Sequence, residues 1–387
     1  MLSWAVYLGM SWTWCIGMFM PVILVTEFGL SMWFIFAIPN VLGAAAMGWV
    51  LAKPGSSEKL VADHRAACVV FTVVTLAFQA FFLVWLASAG LIPVPAAIAA
   101  GAAGLVGGEI FRRRSVIDLT TGWAVLAVSI VVLVRALISP KIGDIDGIFP
   151  EKAAAAWIGL TPACVLGFLL CPYLDVTFHR ARQELPPPAA RRAFGLGFGV
   201  FFLAMIVLTL LYTGDVSGHG GSFGRAFPRW VGTYMAIQIG FTWMVHLRAV
   251  VRPRFSGDRW VGVAAAALAV GAAALAGTGD ARNLLFVDPA KINGPMIYRL
   301  FMSFYGLVFP AYVWVCVLPW RKHRQPTGWS LTACAIVIAA AAPLYWAGFM
   351  MERWIWLPPA VVIVLAGGPL RRVFPEGKEI PARHGVT

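Results

Sequence analysis

The residues of this chain that can do chemistry fall into a titratable group and a merely polar one. The titratable group is densest in Cys171-Pro172-Tyr173-Leu174-Asp175-Val176-Thr177-Phe178-His179-Arg180, with His246 and Arg248 further on. Asp175 and His179 are four apart, hence on one face if helical. They can share a proton, or build a gate with Arg180 or Arg182 and with His246. The plainer alternative is an interfacial ion-pair network. The polar group is Asn40, Gln79, Thr161, Gln238, Thr242, Tyr298 and Tyr305, each set in an apolar run. Gly17 offers close backbone approach, and Trp14, Phe19, Trp243 and Phe301 can supply aromatic walls. Together these suit a pocket for a neutral or weakly polar solute, or for a cation held against aromatic faces. Singly, each serves equally well as packing or interhelical glue.

Other chemistries have no footing. Walker and H-E-x-x-H motifs are absent, and the G-x-S-x-G letters at Gly220–Gly224 fall in a Gly/Ser-rich loop between apolar runs, so neither an enzyme nor a cofactor is expected. Gly195-x-Gly197-x-Gly199 lies inside an apolar run, where small residues let helices approach. Asp144-Ile145-Asp146-Gly147 with Glu151 lacks the ligand spacing of a calcium loop. His179 and His246 fall at helix ends, which argues against a haem pair. The six cysteines lie in or beside apolar segments without C-x2-C spacing and read as small packing residues.

These residues must be held by membrane helices. Hydrophobic residues are 60% of the chain and charged residues only 12%, about half the share of a soluble globular protein. A bilayer crossing takes about 20 apolar residues. On that ruler the chain predicts an all-α, polytopic membrane protein of twelve spans, at 5–27, 30–52, 66–88, 92–108, 118–138, 154–174, 193–213, 230–247, 260–277, 295–318, 329–349 and 354–370. Alternate loops hold 21 Lys and Arg, including the tail after 370, against 7 in the others. That bias places both termini in the cytoplasm. The lack of any N-x-[ST] sequon fits a bacterial inner membrane. The formal charge of +13 therefore reads as cytoplasmic loops and not as a nucleic-acid surface. The lipid bilayer is the one partner implied beyond a small-molecule solute. Pro186, Pro187 and Pro188 are expected to stiffen the loop after span six.

Spans one to five (1–138) and six to ten (139–318) form two sets of five, followed by two further helices and a tail (319–387). An odd number inverts the second set, which is the arrangement of inverted-repeat transporters. Their first helix is broken in each half, and both candidates carry breakers. These are Gly17 and Pro21 in span one, and Gly159, Pro162, Gly167 and Pro172 in span six, centred near Cys164 to Gly167. Broken helices free backbone groups that can bind an ion or a polar solute, although Gly and Pro also merely kink transmembrane helices.

The stretch Phe28-Gly29-Leu30-Ser31-Met32-Trp33-Phe34-Ile35-Phe36-Ala37-Ile38-Pro39-Asn40-Val41-Leu42-Gly43, with Gly17 and Pro21 before it, resembles the first two core helices of sodium/solute symporters. More broadly it resembles the amino acid–polyamine–organocation superfamily with its LeuT-type fold. The resemblance implies alternating-access transport of a small solute, with a central site between spans one, three, six, eight and ten. The chain departs from the symporters in lacking their extra N-terminal helix. In those relatives the sodium site joins carbonyls of span one to paired hydroxyls on span eight. Here Thr242 stands without an adjacent hydroxyl, so no conventional sodium site is expected. Two readings follow: a secondary transporter, or a non-transporting sensor or scaffold subunit that keeps the transporter fold.

Overall fold

The computed structural model describes residues 1–110, 115–142, 154–214, 228–250, 294–318 and 325–370. Among these residues the regular structure is all helical. The helices are α1 (Leu2–Trp12), α2 (Cys15–Phe28), α3 (Leu30–Val50), α4 (Ser56–Asp63), α5 (Arg65–Ser88), α6 (Val94–Ile110) and α7 (Ser115–Ile138). They continue with α8 (Ala154–Leu170), α9 (Val176–Glu184), α10 (Pro187–Leu210), α11 (Arg229–Val250), α12 (Met296–Val317), α13 (Gly328–Met350) and α14 (Leu357–Leu370). Seven are long and apolar enough to cross a membrane, or eight if the bent α1–α2 pair counts as one span. The predicted spans within the described residues fall on helical segments, the first on the bent α1–α2 pair, whereas α6, α11 and α14 are not among the seven. The ninth span, 260–277, lies outside the described residues, as do the Asp144–Glu151 segment and the basic tail.

The apolar surface shows what surrounds the bundle. Ile38, Leu42, Val131, Ile138, Ile336 and Val362 are each more than half exposed. Water would not tolerate such a surface on a monomer, whereas lipid solvates it. The opposite case is α11, long enough to span but less apolar than the others. It is buried along nearly its whole length, against α6, α5 and α7, so its polar side chains are answered by protein and not by lipid.

Close backbone approach fixes the centre. A Cβ on Gly9 of α1 would stand 2.7 Å from the Gly197 carbonyl oxygen, and one on Gly197 would stand 2.7 Å from that of Ala5. Only glycine at both positions lets α1 and α10 lie this close. Gly29 links α2 to α3 at φ 86°, ψ 175°, a conformation open essentially to glycine alone.

Three local expectations need correction. Span one is broken, by 55°, but at Thr13–Trp14 and not at Gly17–Pro21. The helix α2 runs unbroken through both, because Pro21 removes one ladder bond without ending the helix. Span six is likewise interrupted late. Pro162 and Gly167 leave α8 intact, and Pro172 turns its end into a 3-10 turn over Cys171–Leu174, after which Asp175 is extended. Pro187 and Pro188 do not stiffen a loop; they open α10, where a missing N–H costs no bond.

Candidate functional site

A helix ends with four carbonyls lacking partners from its own ladder. At the end of α1 all four are met locally. Thr13 Oγ1 donates to Gly9 O at 2.8 Å and the Thr13 amide to Met10 O at 3.3 Å. Trp14 Nε1 donates to Ser11 O at 2.7 Å and the Trp14 amide to Trp12 O at 2.8 Å. The Trp12 ring is itself anchored, its Nε1 donating to Asn40 Oδ1 at 2.7 Å. The amides of Cys15, Ile16 and Gly17 then open α2 without a side-chain cap, so the positive end of that helix faces the break.

The second interruption carries charge. Asp175 caps α9: its Oδ1 accepts from the Thr177 amide at 2.7 Å and from the Thr177 hydroxyl at 2.6 Å. Its Oδ2 faces His246 Nε2 at 3.8 Å. His179 does not pair with Asp175. Its Nε2 lies 2.8 Å from Tyr173 O and its Nδ1 2.9 Å from Ser57 Oγ. Burial holds the His179 imidazole below its ordinary pKa, outweighing the Tyr173 hydrogen bond and the Asp175 charge. Arg180 turns elsewhere, to Asp118 at the start of α7, and lies over the rings of Tyr7 and Trp4 at 5.4 and 5.5 Å. Arg248 Nε meets the same Asp118 at 2.8 Å. All three charges are at most 1% exposed. From its place in the first turn of α7, Asp118 alone would pass for a helix-start anchor. The available signal was that Asp118, Arg180 and Arg248 all fall at ends predicted for one membrane face.

Between the interruptions lies a cavity of about 80 Å³. Its walls are Trp12, Trp14, Ile16 and Gly17 from span one, Ala163, Cys164, Gly167 and Cys171 from span six, and Asn40 from α3. Tyr305 and Gly306 of α12, with Tyr345 and Phe349 of α13, close it. Asn40 gives its oxygen to Trp12, and its NH2 makes no hydrogen bond among the described residues. Tyr305 is held by Thr75, hydroxyl to hydroxyl at 2.9 Å. Thus Trp14, Gly17, Asn40 and Tyr305 come together.

The remaining residues singled out in the sequence lie away from this cavity. Phe19, Tyr298 and Phe301 stack with Phe78, Phe81, Phe82 and Trp85 at 5.1–6.1 Å and fill the space between α2, α5 and α12. Gln79 is buried there on α5 with neither amide atom bonded. Gln238 Nε2 donates to Tyr234 Oη at 2.9 Å and Ser129 Oγ at 3.3 Å, which ties α11 to α7. Thr242 is buried with its hydroxyl unpartnered. Trp243 donates to Leu76 O at 2.8 Å, and Thr161 bonds back to Trp157 O of its own helix. The pocket therefore opens toward spans two, eleven and twelve, not toward spans three and eight. No three His, Cys, Asp or Glu side chains among the described residues are grouped to hold a metal ion. No protein-family model matches the chain, and no curated protein matches it.

Proposed function

We propose that this chain is a secondary transporter of a small solute, working by alternating access on a LeuT-type arrangement of five plus five spans with two more, both termini cytoplasmic. The observation that carries the reading is the pair of helix interruptions, Thr13–Trp14 and Cys171–Asp175, meeting across one cavity. Two half-helices that end at a common void can rock against the rest of the bundle without breaking a long hydrogen-bond ladder. The solute is small and largely apolar, since 80 Å³ is far below a drug-sized pocket. It carries a group able to hydrogen-bond, because Asn40 and Tyr305 are polar side chains in its wall.

The test uses the native Cys164 and Cys171, which line the cavity. Alternating access predicts that a membrane-impermeant thiol reagent modifies them from either side, in right-side-out and inside-out vesicles, read by mass spectrometry. Modification from neither side, or from one side only under every solute and pH condition, would favour the second reading, a sensor or scaffold that keeps the fold. That reading draws support from the four capped carbonyls of α1, which need no ion, and from the aromatic packing between α2, α5 and α12.

A further inference from the structure

Asp175 is only half used by the helix it caps. Oδ1 takes both Thr177 donors, whereas Oδ2 receives no hydrogen bond among the described residues. Facing it is His246 of α11, wholly buried, with neither ring nitrogen hydrogen-bonded among the described residues. The 3.8 Å between Oδ2 and Nε2 is about 1 Å longer than a charge-assisted hydrogen bond. Two buried polar groups that face each other unbonded are costly, and one proton on the imidazole removes the cost by making a hydrogen-bonded ion pair.

We infer that Asp175 and His246 form a proton-binding site whose occupancy sets how closely the span-six interruption approaches α11. The proton is placed on His246, whose Nε2 faces Oδ2 while Oδ1 is held by the two Thr177 donors. The proton comes from solvent and adds one positive charge. Loading closes the gap from 3.8 Å toward about 2.8 Å. The Trp14 ring stands edge-on to His246, 5.5 Å between centroids, so the break in span one follows the movement. What the proton drives rests on the transport reading; that it binds does not.

The charged and titratable groups around the pair are engaged elsewhere. On the α9 side His179 is engaged by Tyr173 and Ser57. From α5 and α12, the uncharged Cys68 and Tyr305 lie within electrostatic reach of Asp175. Arg248, two residues along α11, and Arg180, five after Asp175, both pair with Asp118. With both arginines drawn to Asp118, a proton on His246 supplies the charge that faces Asp175 on acidification and leaves again as the pH rises. A coupling site must do both.

The experiment titrates the full chain in nanodiscs with ring-13C histidine from pH 8.5 to 4.5. The chain has six histidines, and His246→Gln identifies the resonance. The expected result is one reversible transition at His246, with proton affinity about tenfold or more weaker in Asp175→Asn. Asparagine still caps α9, so that variant keeps the fold. Asp175→Glu, which keeps the charge, retains the transition. A wild-type resonance fixed in one state across the range overturns the proposal without any variant, and so does a transition that Asp175→Asn leaves in place. In vesicles loaded with a pH dye, a site that titrates while no gradient moves solute upholds the proton site and defeats transport. Solute movement with a silent His246 does the reverse.

Discussion

At Thr13–Trp14, every carbonyl that α1 leaves unpaired is met by Thr13 or Trp14, and no charge is involved. At Cys171–Asp175 the chain restarts on a carboxylate with one oxygen committed to α9 and the other facing a histidine of another helix. A neutral break capped by its own residues is a joint: it can bend, but it asks for no ligand. A charged break with an open valence has chemistry left over. Near it, Arg180 and Arg248 converge on Asp118 with almost no exposure, so this buried ion cluster belongs with the second interruption, whereas no charge caps the first.

Removing Asp118 should do the most damage. Asp118→Ala removes the carboxylate that Arg180 and Arg248 share in a buried site, and truncating one partner of a buried ion network costs about 3–5 kcal/mol. The midpoint of denaturation in a fixed detergent should fall accordingly. A loss smaller than that from any change at Thr13 would erase the contrast between the two regions.

The glycines on either side of the cavity give the next largest effect, and a sharper one. A Cβ on Gly167 would lie 2.8 Å from the Tyr305 backbone oxygen, so Gly167→Ala must push α8 off α12, costing about 1–3 kcal/mol. A Cβ on Gly17 meets only the Ile206 and Phe202 side chains, at 3.5 Å or more. Gly17→Ala should therefore change stability by less than about 1 kcal/mol. Equal losses in the two variants would mean that the α8–α12 contact is not as tight as the backbone places it.

The all-helical membrane character was legible in the sequence because the length and apolarity of a span are properties of one segment at a time. Trp14, Gly17, Asn40 and Tyr305 were found at the cavity because they flank breakers or lie in the helices around them. The partner of Asp175 was not legible. The four-residue spacing to His179 assumes that both residues lie within one helix, but Pro172 ends α8 and makes Asp175 a cap, outside the register of α9. Its true neighbour is 71 positions away, on a helix whose packing no local pattern encodes. Nor can sequence tell an aromatic wall from aromatic filler: Phe19, Tyr298 and Phe301 have the composition of a pocket and the geometry of a packed core.

Smaller still is the cost of loosening the neutral break. Thr13→Val keeps the shape of the side chain and removes one hydrogen bond, to Gly9 O, so a loss of about 1 kcal/mol is expected. Trp14→Phe removes the bond to Ser11 O at similar cost, and the double variant should approach the sum. A loss several times larger at either position would show that the joint also carries part of the load assigned to the charged end.

The last prediction is for no effect at all. A hard cation such as sodium wants several oxygens converging on one point. The carbonyls that could offer them at the end of α1 already hold Thr13 and Trp14, and Thr242 on span eight has no adjacent hydroxyl. Opening a site there would mean breaking bonds that hold the joint. Purified protein should accordingly show no saturable uptake of radiolabelled sodium beyond a potassium control, and Thr242→Ala should change nothing in that assay. Saturable sodium binding that Thr242→Ala abolishes would mean the neutral break opens to a ligand after all. The distinction between a joint and a chemically active break would then be lost, and sodium would take the coupling role given to the Asp175–His246 proton.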